Sequence, residues 1–189
     1  MIGVVGIIFA ECGLLIGFFL PGDSLLFVTG LLIAQHNVIH TPLWLACLLL
    51  SIAAVAGNIV GYWIGRKAGP AIFNRPDSRF FKQEYVERAH DFFKRHGVRA
   101  IVLARFVPIV RTFITVTAGV ARMTPRVYVA YSLIGGVIWA TGLTVLGHQL
   151  GHVNFIKNNI EIIAIGIVVI SFIPVGLELL RGRRRGRSA

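Results

Sequence analysis

The sequence predicts an all-α polytopic membrane protein: an inverted repeat with two opposed re-entrant helical hairpins, about three transmembrane helices and one interfacial amphipathic helix. Three observations carry that reading. Of the 189 residues, 56% are hydrophobic and 14% charged, and the mean hydropathy is +0.76, far too apolar for a soluble domain of this size. The 19 Lys and Arg, against 8 Asp and Glu, sit almost entirely in two blocks between apolar runs. That is the distribution of cytoplasmic loops, so topology accounts for the basic excess and no nucleic-acid partner is expected. Finally, two apolar segments are interrupted by proline with ionisable residues beside the interruption, which a straight spanning helix does not tolerate.

Residues 1–34 form the first such segment, broken at Pro21, Gly22 and Asp23, with about twenty residues before the break and eleven after it. Eleven residues rise only about 16 Å, half of a hydrocarbon core about 30 Å thick. A re-entrant hairpin folded at the break fits that length, provided protein or a water-filled cavity covers the broken backbone. No Lys or Arg precedes Arg66 and Glu11 interrupts the run, so no cleaved signal peptide is expected. Cys12 and Cys47 are lone residues inside apolar stretches and read as small buried hydrophobes.

After a polar loop at 35–42, residues 43–65 run uncharged for 23 residues, long enough to cross with some tilt. Gly57, Gly61, Gly65 and Gly69 recur every four residues on one face, a stripe that admits a neighbouring helix closely. Asn58 and Tyr62 read as polar glue between helices. Residues 66–98 are basic. Within them Phe81, Tyr85, Ala89, Phe92 and Phe93 recur at helical spacing opposite charges, and Gly97 supplies a stop. This predicts an amphipathic helix lying on the cytoplasmic headgroups.

Residues 99–123 form the second broken segment, with Pro108 between Arg105 and Arg111. Each charge at the centre of a spanning helix costs roughly 2.5–3.5 kcal/mol on insertion scales, so both arginines are expected to be functional. An uncharged span follows at 127–147, then a short loop and a third span at 160–180 with Glu161 and Glu178 near its ends, and 181–189 is a polybasic tail. Parity then constrains the segment. If the basic loop and the basic tail are both cytoplasmic, the last two spans go out and back, so 99–123 begins and ends inside and is re-entrant.

The two broken segments match in order: a Pro at the bend, a charge two or three residues later (Asp23, Arg111), and a small pair closing the second arm (Thr29-Gly30, Ala118-Gly119). Each precedes a span with a similar terminus, IGRKAG at 64–69 and LGHQLG at 146–151. One hairpin enters from outside and the other from inside, an inverted repeat whose site belongs near the midplane. Glu11 and Asp23 of the first segment then converge with Arg105 and Arg111 of the second, since pairing reduces the cost of charge in lipid. A purely architectural ion-pair network is the simplest account of that convergence. The functional account is that a guanidinium fork suits phosphate oxygens bidentately, which assigns Arg105, Arg111 and the adjacent Thr112 to a lipid phosphate. Glu11 and Asp23 face opposed influences, desolvation favouring the neutral acid and arginine the carboxylate, and are assigned to proton coupling. Pro21, Gly22 and Pro108 make the breaks.

His36, His40, His148 and His152 read as ordinary interfacial histidines. His148 and His152 are four apart but lack the HExxH pattern, and no metal or cofactor is expected. Without a Walker loop, nucleophile elbow or dinucleotide fingerprint, the chain is not expected to be an enzyme.

Three stretches together resemble the DedA family, whose domain is shared with eukaryotic SNARE-associated Golgi and VTT lipid-scramblase proteins: Glu11 with PGDSLL at 21–26, GNxxGYxxGRxxG at 57–69, and RFxPxxRTFxxxxAGxxxM at 105–123. The resemblance covers nearly the whole chain from about Phe9 to Leu180. It implies two opposed re-entrant hairpins, required acidic and arginine residues matching Glu11, Asp23, Arg105 and Arg111, and transport linked to the proton-motive force. It also implies a multi-pass protein of the bacterial cytoplasmic membrane with a cytoplasmic C-terminus, returning undecaprenyl phosphate for cell-wall synthesis. The expected function is therefore translocation of a phospholipid or polyprenyl phosphate, with protons as the coupled partner. The alternatives are a proton-coupled exporter of small cations or osmolytes, and a non-transporting assembly factor. Oligomeric state, a homo-oligomer included, is left open by the sequence.

Overall fold

A computed structural model of the chain describes residues 1–14, 21–35, 39–73, 101–102, 108–153, 163 and 166, with the backbone alone at 69–73, 108–110 and 112–113. The described residues are helical and contain no strand. Five helices follow in order: α1 (Ile2–Gly13), α2 (Gly22–Ala34), α3 (Leu43–Phe73), α4 (Pro108–Val120) and α5 (Pro125–Gly151). Two of them, over Leu43–Ala68 and Pro125–Gly151, are long and apolar enough to cross a membrane. The amphipathic stretch beyond Phe73, the span at 160–180 apart from Ile163 and Gly166, and the tail lie outside the described residues.

The ends of three helices differ from the sequence reading, and packing explains why. α1 stops at Gly13, with Leu14 already extended (φ −109°, ψ 132°), although the apolar run continues to Leu20. At Gly13 the helix meets the backbone of Gly57 so closely that a Cβ would stand 2.9 Å from the Gly57 carbonyl. α1 is thus 12 residues long and α2 is 13, about 18–20 Å each, and neither covers a hydrocarbon core alone. α3 continues past Gly65 to Phe73, because its glycines are contact points rather than stops. α5 likewise begins at Pro125, a residue whose fixed φ and missing N–H suit a first helical position, and runs through the supposed loop to Gly151. Gly147 approaches the Phe27 backbone, and Gly151 approaches Ala34 and Leu31. Both are packing residues on α2.

The helices pair in a crossed order. α2 packs mainly on α5 and α4 mainly on α3, while α1 and α5 also lie against α3. Three glycines of the α3 stripe admit neighbouring helices: Gly57 faces α1, Gly61 lies between Thr115 of α4 and the end of α1, and Gly65 faces Val116 of α4. A core of Ile8, Cys12, Leu26, Leu50, Ala53, Ala54, Trp139 and Ala140 joins α1, α2, α3 and α5. A second core gathers Tyr62, Ile101, Ala118 and Tyr128. Cys12 and Cys47 are both buried, as read from the sequence. Ile52, Leu133, Ile134, Ile138 and Leu146 are exposed on the outer faces of the two long helices, an apolar surface suited to lipid.

α4 ends in a Schellman cap. Met123 N–H donates to Ala118 O at 3.1 Å and Arg122 N–H to Gly119 O at 3.0 Å, with Arg122 in the left-handed region at φ 52°. That conformation costs a side-chain-bearing residue about 1 kcal/mol, which glycine does not pay. Arg122→Gly is therefore expected to stabilise the chain by about 0.5 kcal/mol after allowing for the freer unfolded backbone, measured as a raised Tm in detergent. A lowered Tm would mean that the arginine side chain stabilises the turn.

Candidate functional site

Glu11 occupies the last turn of α1, Asp23 the first turn of α2 and Arg111 the first turn of α4. The crossed packing brings these three helix ends together. Arg111 Nη1 donates to Asp23 Oδ1 at 2.8 Å, and its Nη2 donates to Glu11 Oε1. The guanidinium fork is thus shared between two carboxylates from two different helices. Glu11 and Arg111 are almost fully buried, whereas the Asp23 side chain is 43% exposed, so the site opens on the Asp23 side.

A fourth residue completes it. Trp139 donates its indole N–H to the same Asp23 Oδ1 at 2.7 Å, and the Arg111 Cζ lies 4.3 Å from the centroid of its ring. Tryptophan is the preferred ring for such a contact. Nothing in the apolar run at 127–147 marked this residue. The available signal was physical: an indole N–H inside a span needs an acceptor.

Gly22 explains how a glutamate fits here. A Cβ at this position would fall on the Glu11 carboxylate. Glu11 Oε2 is buried against Gly22 and makes no well-formed hydrogen bond with the described residues. Gly22, read as part of a break, therefore also opens space for the acid. Asp23 at the N-terminal end of α2 gains from the helix dipole, while Arg111 at the N-terminal end of α4 opposes it and relies on its two carboxylates.

The depth of the site follows from its neighbours. Trp139 stands at the midpoint of α5 (Pro125–Gly151), and Gly57, at the midpoint of the Leu43–Ala68 span, touches Cys12 and Gly13 beside Glu11. The ion pairs lie about half-way along both long helices.

Of the residues singled out in the sequence, Glu11, Asp23 and Arg111 are brought together, with Pro21 and Gly22 beside them. Arg105 lies outside the described residues; Pro108 and Thr112 are described only as backbone in α4. Asn58 and Tyr62 belong to a separate cluster where α3 meets α5 and the turn between α4 and α5. Tyr62 OH donates to Met123 O and accepts from Arg66 Nη1 at 2.7 Å, and its ring stacks on Tyr128 at 4.6 Å. Tyr62 is interhelical glue as read. Asn58 differs: its amide donates to Ala54 O within α3, and its backbone carbonyl accepts from Tyr128 OH at 3.3 Å. His148 and His152 meet edge to face at 4.8 Å.

A VTT domain model matches residues 20–149. Protein DedA of Escherichia coli (strain K12) is 39% identical over 183 residues, covering 97% of this chain and 83% of its own length. An uncharacterized membrane protein of Mycobacterium leprae is 43% identical over 178 residues, covering 94% and 78%. Inner membrane protein YqjA of Escherichia coli (strain K12) is 36% identical over 145 residues, covering 77% and 64%. No solved structure matches. On the strength of the domain match and of these relatives, the chain is a membrane protein belonging to the VTT-domain, or DedA, family.

Proposed function

We propose that this protein is a lipid-phosphate translocase that moves a phosphorylated polyprenol, undecaprenyl phosphate in the bacterial cytoplasmic membrane, in a step coupled to protons. One observation carries the reading: the Arg111 fork is occupied at both nitrogens by separate carboxylate oxygens, the two-point arrangement that a single phosphate group would satisfy instead. A phosphate taking Arg111 releases Glu11 and Asp23 from their cation. Glu11 Oε2, buried and without a well-formed bond among the described residues, is then the oxygen that accepts the coupled proton. Arg105 and Thr112 are assigned to the same phosphate on their sequence positions beside Pro108.

The topological part of the proposal is that α1–α2 and the 99–123 segment are re-entrant hairpins of an inverted repeat, with the C-terminal tail cytoplasmic. Helices α1 and α2 too short to span, the break at Pro21, and the crossed pairing of α2 with α5 and α4 with α3 support it. The half-way depth of the ion pairs is where such folds bind substrate.

The test uses the purified full chain in liposomes carrying a fluorescent polyprenyl phosphate, with the phosphate-free alcohol as control. The expected result is flipping of the phosphate alone, accelerated by a pH gradient and abolished by Arg111→Met. Indifference to the gradient, or full activity of Glu11→Gln and Asp23→Asn, would remove the proton coupling. Cation flux without flipping would replace the reading with a cation exporter.

A further inference from the structure

We propose that Trp139 is a positioning residue of this site: its indole edge fixes the Asp23 carboxylate and its face carries the Arg111 guanidinium. Both partners then keep their geometry while a phosphate-bearing ligand engages Arg111. The inference deepens the lipid-phosphate reading and rests on it for the identity of the ligand.

Trp139 is set apart from the chain's other two tryptophans. Trp44 and Trp63 are 68% and 47% exposed, as expected of side chains at a membrane surface, whereas Trp139 is 4% exposed. It contacts both signs of charge at once, donating to Asp23 Oδ1 at 2.7 Å and lying 4.3 Å beneath Arg111 Cζ. Asp23 Oδ1 accepts from Arg111 Nη1 and from the indole together. When Arg111 turns to a phosphate, the indole N–H still holds that oxygen and the ring still faces the guanidinium. The indole combines a wide aromatic face with an edge N–H that only donates, and it carries no charge. Leucine fills part of the volume and supplies neither contact. Phenylalanine supplies the face alone.

The two contacts predict separable defects. A hydrogen bond to a charged group is worth about ten-fold or more. In proteoliposomes moving polyprenyl phosphate, Trp139→Phe is therefore expected to lower kcat about ten-fold, through Asp23, while KM stays within about two-fold. Trp139→Leu is expected to add a rise in KM of about five-fold from the lost ring contact with Arg111. A residue that only fills the core would give Phe nearly full activity and would lower stability, not split kcat from KM. That outcome overturns the proposal. A second measurement does not depend on transport. In a Trp44→Phe/Trp63→Phe background Trp139 is the sole tryptophan, and its selectively excited emission is expected to change with Asp23→Asn and separately with Arg111→Gln. Unchanged emission in both variants overturns the positioning role. If the emission responds but the parent chain moves no lipid phosphate, Trp139 still holds the ion pair and the translocase reading is the one that fails.

Discussion

Arg111→Met is expected to lose about 3–5 kcal/mol of stability, the cost of leaving a buried charge without its partner. The size follows from what remains. Glu11 is 3% exposed and its Oε1 has Arg111 as its partner, while Oε2 has no well-formed bond among the described residues. Asp23 suffers less, since its side chain is 43% exposed and the Trp139 N–H still reaches Oδ1. Adding Glu11→Gln to Arg111→Met is therefore expected to recover most of the loss, because it removes the orphaned charge. The two substitutions should couple by about 1–3 kcal/mol in a double-mutant cycle. Arg111→Lys is the informative intermediate. A lysine ammonium lacks the planar fork that reaches two carboxylates at fixed angles, so part of the stability returns and two-point phosphate binding does not. Thermal unfolding in detergent reads the stability terms, and flipping in liposomes reads transport, which should stay absent in all three variants. If the Met/Gln double variant transports, Arg111 is architectural and the phosphate assignment fails.

Charge was the most legible feature of the sequence, for a reason specific to this solvent. An acid at position 11 or 23, or an arginine at 111, has no cheap place in lipid unless it meets its opposite, so Glu11, Asp23 and Arg111 could be grouped before any contact was known. Trp139 was hidden because tryptophan in an apolar run needs no explanation by composition; its role depends on which atom lies at the end of its N–H. Helix ends were misread for a related reason. The run from Leu14 to Leu20 is as apolar as the helix before it, and α1 stops where Gly13 meets Gly57, a contact 44 positions apart in the sequence. The polar stretch after 147 reads as a loop, yet α2 presses against Gly147 and Gly151 and α5 stays helical through both. The pairing of the AGxxxM stretch with GNxxGYxxGR, through Gly119 against Tyr62 and Arg66, could not be inferred from either stretch alone.

The crossed glycine contacts lead to the second large effect. Gly30→Leu and Gly119→Leu are each expected to destabilise by about 3 kcal/mol, at the upper end for overpacking. In both cases the atoms in the way belong to backbone: a Cβ at Gly30 would meet the Thr144 carbonyl and His148 N, and one at Gly119 would meet the Tyr62 carbonyl and Arg66 N. Backbone cannot rotate aside as a side-chain tip does, so the helices must separate. At Gly30 this pulls α2 from α5 and carries Asp23 away from Trp139; at Gly119 it pulls α4 from α3 and carries Arg111 away from Glu11. Gly6 in α1 has nothing within 4 Å of its missing Cβ, and Gly6→Ala is expected to be neutral or stabilising by up to about 1 kcal/mol through helix propensity. If the proposed inverted repeat is correct, Gly30 and Gly119 are equivalent positions and their leucine variants should lose similar Tm and both abolish flipping, since each clamp holds one side of the same ion pair. A Gly30→Leu chain with unchanged Tm and transport beside a defective Gly119→Leu chain would break that equivalence, leaving Arg111 supported from the α3 side alone.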